Sequence, residues 1–171
     1  MYFPSLENLK KHDPQISDYE VKTFDSWLGT RPEYTWEYLN PLQFSIDLSF
    51  SDERSMNLFL ASTHYKDVDL FRVRFVYKCP TCSSPLIVEL DNPINNLEGK
   101  YCEDCEKNIS AFMLKEMATV FFSLQKEPVP PNSAPLPNGT DERLGEKANH
   151  LRAKQFMMAK DNFMSRFLTD F

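Results

Sequence analysis

The chain predicts an α+β protein: an antiparallel sheet flanked by helices, with a long C-terminal helix reached through a proline-rich linker. Three observations lead there. All four cysteines fall in two C-x-x-C pairs, Cys79/Cys82 and Cys102/Cys105, with 19 residues between the pairs. Runs rich in β-branched and aromatic residues enter and leave the first pair, Arg72 to Lys78 and Pro85 to Asp91. Stretches with apolar residues at helical spacing stand on either side of the cysteines.

Residues 1–16 read as an irregular leader with one helical turn around Ser5 to Lys11. Asp13-Pro14 stops it, because the residue before proline is pushed out of the helical region. Ser17-Asp18-Tyr19-Glu20 fits a capping box, in which the hydroxyl takes an orphan amide and the carboxylate reaches back. Val21, Phe24, Trp27 and Leu28 follow at helical spacing, so a short helix is expected over 18–28, ended by Gly29. Its apolar face is core or meets a partner. Thr30 to Leu42, punctuated by Pro32 and Pro41, reads as extended or irregular chain.

In Gln43 to Phe50 the residues Phe44, Ile46, Leu48 and Phe50 alternate with polar ones, the pattern of a half-buried strand. Met56 to Thr63 is either a strand pairing back or a short helix. Val68 to Lys78 is expected as a strand running into the first cysteine pair. Asn92 to Gly99 is dense in turn residues. After the second pair, Asn108 or Ser110 can cap a helix over Ala111 to Gln125. It would carry Met113, Met117, Val120, Phe121 and Leu124 on one face, and Phe112 and Phe122 on another. A helix apolar on more than one side is buried between layers or covered by a partner. Pro128 to Pro137 holds five prolines in ten residues, a stiff linker. Asp141 to Phe171 then reads as a helix with a broad apolar stripe. The expected plan is an α+β domain over 1–127, a linker over 128–140 and an amphipathic helix over 141–171.

The cysteine spacing suits four thiolates around one zinc ion. Two residues between cysteines let a tight turn aim both sulfurs at one point, and two such turns close a tetrahedron. Four thiolates leave no coordination position for water or substrate, so the expected Zn2+ is structural. Two disulfides, an iron–sulfur site and a redox C-x-x-C are the competing readings of the same residues. Strand, knuckle, strand, loop, knuckle resembles the zinc-ribbon family over residues 73–109. That resemblance implies a sheet extended into a zinc ribbon, with Cys79, Cys82, Cys102 and Cys105 as ligands. Zinc ribbons often place glycine or a basic residue after the knuckle cysteines; here Ser83-Ser84 and Glu106-Lys107 follow.

Composition narrows the function. Aromatics make up 13% of the 171 residues, so material for a core is present. The net charge of -6 gives no generic attraction to phosphate and disfavours nucleic acid. No apolar run approaches the length of a membrane span. No signal peptide is apparent, and thiols at metal spacing suit a reducing compartment, so a cytoplasmic location is expected. His12, His64 and His150 lie in unrelated contexts, and four glycines could hardly make a phosphate loop. No catalytic constellation is visible.

The expectation is therefore a non-enzymatic zinc-containing module, an accessory or regulatory subunit of a larger complex. It would dock on a protein partner, or on itself as an oligomer, through the apolar helices 111–125 and 141–171. On the second helix Phe156, Met157, Phe163, Met164 and Phe167 are the contact residues; folding back on its own sheet, or lying on a membrane, are its other options. The alternative is a nucleic-acid-binding regulator using the ribbon and the face of Arg72, Arg74 and Lys78, which alternation places together.

Overall fold

The computed structural model describes residues 1–90, 98–129 and 151–168, with only the backbone of 164 and 166–168. The expected loop at 92–99 lies outside the described residues up to 97. So do the linker beyond Val129 and residues 141–150, which include His150.

The chain opens with a 3-10 turn, Pro4–Asn8, that runs into a single turn of helix, α1 (Leu9–His12). Helix α2 (Asp18–Gly29) begins on the expected capping box: Glu20 N–H donates to Ser17 Oγ at 3.2 Å, and Ser17 N–H donates to Glu20 Oε2 at 2.7 Å. Gly29 is needed because the Tyr2 ring packs over it; a Cβ there would sit 2.1 Å from the ring. Asp25 holds the same segment, accepting from the backbone N–H of Tyr2 and Phe3 at 2.9 and 2.7 Å.

A 3-10 turn over Glu33–Tyr38 leads to α3 (Pro41–Leu48), where a strand was expected. Asn40 caps this helix by accepting from Leu42 N–H, and Pro41 occupies its first turn, where a missing N–H costs nothing. Ile46, expected on a buried strand face, is 57% exposed. Helix α4 (Asp52–His64), capped by Ser51, settles the strand-or-helix choice for Met56 to Thr63. Residues Ser55 to Thr63 are all buried, so α4 is the central helix of the molecule.

The sheet is antiparallel with order β2-β1-β5, built from β1 (Phe71–Lys78), β2 (Pro85–Leu90) and β5 (Thr119–Leu124). A second pair, β3 (Lys100–Cys102) and β4 (Lys107–Ile109), carries the second knuckle. The expected helix over 111–125 is corrected: α5 (Ala111–Met117) stops at Ala118, and the six residues Thr119–Leu124 form β5. Thr-Val-Phe-Phe is a β-forming run, and its pairing with β1 overrides the helical spacing. Register sets Val73 between Phe122 and Leu90, Phe75 beside Val120 and Tyr77 beside Leu86, all on the core face with Phe71.

The outer edge of β5 is covered twice. Leu39 and Phe122 exchange backbone hydrogen bonds at 3.0 and 2.8 Å. Past the linker, Val120 N–H donates to Leu151 C=O and Ala153 N–H to Ala118 C=O. This second contact delivers α6 (Ala153–Leu168), the described helix of the expected 141–171 segment, onto α4, α5 and the sheet. The core is aromatic: Phe59 meets Phe24, Phe71 and Phe122 with ring centroids 4.9–5.1 Å apart, and Phe156 of α6 lies 5.5 Å from Phe75.

Candidate metal centre

The first knuckle is the turn between β1 and β2, and the second is the turn between β3 and β4. In each, the local sequence aims two sulfurs inward. Ser83 N–H donates to Cys79 C=O at 2.8 Å, and Cys79 N–H donates to Ser84 C=O at 2.9 Å, closing the first turn. The residue after each second cysteine takes a left-handed backbone, Ser83 at φ 63° and Glu106 at φ 56°. That explains why glycine is common there and why its absence here costs strain. Gly99 lets β3 approach β4, since a Cβ would lie 2.8 Å from Ile109 C=O.

The two turns bring all four sulfurs within 4.8 Å of one another. Across the knuckles Cys79 Sγ lies 3.6 Å from Cys105 Sγ, and Cys82 Sγ lies 3.5 Å from Cys102 Sγ. Four sulfurs about 2.3 Å from one ion would sit about 3.8 Å apart along a tetrahedral edge, so the cluster matches that size. Cys79 and Cys102 are buried, Cys105 is half-buried and Cys82 is exposed.

The electrostatics ask for a cation. Backbone N–H groups of Cys82 and Thr81 donate to the Cys79 sulfur and pull its pKa down to about 6. The Ser84 hydroxyl and N–H lower that of Cys82. Desolvation raises Cys102, and raises Cys105 to about 12. The sulfurs thus divide into two that hydrogen-bond donors draw toward the thiolate and two that desolvation, with their sulfur neighbours, holds protonated. A divalent ion outweighs that hold and lets all four ionise. The cluster can therefore hold a metal ion.

The other site residues expected from sequence fall elsewhere. Arg74 is buried between Glu37 and Glu89, at 2.8 and 2.9 Å, with its guanidinium 5.3 Å from the Tyr38 ring centroid. Arg72 pairs with Asp69 at 2.8 Å, and Lys78 at the strand end is exposed. So the two arginines engage their own chain's carboxylates. Phe156, Met157 and Phe163 are buried against the chain's own core. Met164 and Phe167 lie on α6, but their side chains are not among those described. Sequence reasoning had no means to assign Thr81 and Ser84 as donors to sulfur, because backbone N–H direction leaves no trace in residue type.

No protein-family model, curated protein or solved structure matches the chain. No described helix is long and apolar enough to cross a membrane.

Proposed function

We propose that this protein is a zinc-stabilised interaction module, an accessory or regulatory subunit that acts by docking on a protein partner or a second copy of itself. The observation that carries this reading is the closed four-sulfur cluster. Tetrahedral sulfur donors suit zinc, and a shell filled by four thiolates has no position for a substrate. The metal then holds surface in place rather than doing chemistry.

The docking surface we assign is the outer side of α5 and α6. Phe112, Met117 and Met158 are 71%, 53% and 62% exposed there. The two helices pack together and are tied by Lys154 and Glu116 at 3.3 Å. Phe112 stands four residues before Glu116 and Met158 four after Lys154, so each shares a helical stripe with the ion pair. Methionine suits adaptable contacts.

Elemental analysis of protein never exposed to chelator should find one zinc per chain. Light scattering and cross-linking, alone and with native extract, should show an assembly that Phe112→Glu with Met158→Glu dissolves while zinc content and melting stay unchanged. A monomer with no cross-linked partner, indifferent to both substitutions, refutes the docking reading.

A further inference from the structure

The four sulfurs of the cluster are not equally sheltered. Cys79 and Cys102 are 1% and 0% exposed, and Cys105 is half-buried. Cys82 is exposed, between exposed Thr81 and Ser83 in the turn from β1 to β2. Cysteine oxidation follows access, so a small oxidant in solvent meets this sulfur first.

What stands behind Cys82 decides the product. Cys102 Sγ, buried on the second knuckle, lies 3.5 Å from Cys82 Sγ. Joining the two at a bond length of about 2.05 Å asks each sulfur to move about 0.7 Å. An accessible cysteine backed by a sheltered one is the arrangement of a reversible redox site. The first is oxidised, and the second captures it before more oxygen is added.

Resting on the metal reading above, we propose that Cys82 is an oxidation site for hydroperoxides, through which a Cys82–Cys102 disulfide takes the place of the metal ion between the knuckles. The Cys82 thiolate attacks a peroxide oxygen; the O–O bond breaks, a sulfenic acid forms, and hydroxide or alkoxide leaves. The Cys102 thiolate then attacks the Cys82 sulfur, the S–O bond breaks, and a second hydroxide leaves. Two electrons pass from two sulfurs to one peroxide. The joined sulfurs no longer carry the charge that holds a cation, and Cys79 and Cys105 fill only half of a tetrahedral shell. The ion is released. A small thiol reverses the change by exchange at the exposed Cys82 sulfur. The module is thereby switched by oxidant and reset by reductant.

The test uses the full chain, with its zinc content measured first. One sample receives hydrogen peroxide below one equivalent with excess dimedone, a trap for sulfenic acid; another receives one equivalent without the trap. Released zinc is read with pyridylazoresorcinol, and sulfur linkages by peptide mapping without reduction. Dimedone should be found on Cys82. The untrapped sample should show a Cys82–Cys102 disulfide and the loss of one zinc ion per peroxide consumed. Dithiothreitol followed by added zinc should restore the loaded chain. A trapped label first on another cysteine, a first disulfide between other sulfurs, or zinc retained once the peroxide is consumed would each overturn the proposal and leave the metal reading standing. A chain without zinc at the outset would overturn both.

Discussion

Glu20 has two duties at once. Its carboxylate closes the capping box of α2, and it also pairs with Arg54 of α4, whose Nη2 lies 2.8 Å from Oε2. Arg54, chiefly through its hydrogen bond, pulls the Glu20 pKa from 4.5 down to about 2. A depressed carboxylate stabilises the fold above its unfolded pKa, and that contribution disappears as pH falls from 4.5 through about 2. Glu20→Gln keeps a capping side chain but drops the charge. It should cost about 2–3 kcal/mol in urea unfolding at pH 7, with the difference from wild type closing as pH approaches 2. A cost independent of pH would mean that packing, not charge, links the helices. The box itself was legible in the sequence, since both partners lie within four residues. The reach to Arg54 was not, because that pair spans 34 residues. Ser83 and Glu106 make a converse case. Their left-handed backbones should favour glycine by about 0.5–1 kcal/mol each, so Ser83→Gly and Glu106→Gly should raise the melting temperature of the metal-bound protein.

At the level of elements, sequence pattern worked where two cues agreed and failed where one stood alone. Residues 18–28 had both a cap and helical spacing, and α2 spans Asp18–Gly29. Strand β1 had β-forming residues and alternation, and it forms from Phe71. Residues 43–50 had alternation only, against a cap-and-proline start at Asn40-Pro41, and the start won. The helix then sends Phe44 to the core and Ile46 to solvent, while Asp47 accepts from Trp27 Nε1 at 2.8 Å. Two substitutions separate the alternatives. Phe44→Ala should cost about 3–5 kcal/mol, by removing a ring that contacts Phe24 and Phe59. Ile46→Lys should stay within about 0.5 kcal/mol, as for an exposed position. On a half-buried strand both would be severe, so equal losses in chemical denaturation would restore the strand. The split of 111–125 has a different cause: α5 and β5 are each short, and only the long-range pairing with β1 reveals where one ends.

The whole molecule joins the sulfur cluster to the main core. The four cysteines of the cluster were legible as a candidate metal site because metal spacing is local, but their connection to the rest was not. Cys79 follows directly on β1, and with Cys102 and Ile109 it belongs to one buried cluster with Tyr77, Leu86 and Phe75. That same β1 is the central strand pairing β2 and β5, and α6 rests on the sheet through Phe156 against Phe75 and Phe122. A metal-free cluster leaves sulfurs that cannot all ionise at the end of the strand that every layer uses. Chelation should therefore weaken the sheet and not only the knuckles. A loss of about 5 kcal/mol would move the melting point of a chain this size by about 10–20 °C. Calorimetry should show one transition displaced as a unit, and amide exchange should quicken in β1 and β5 as well as at residues 79–84. Two transitions, with the upper one where the metal-bound protein melts, would mean that the knuckles are a separate appendage, and the shared strand would then not couple them to the core.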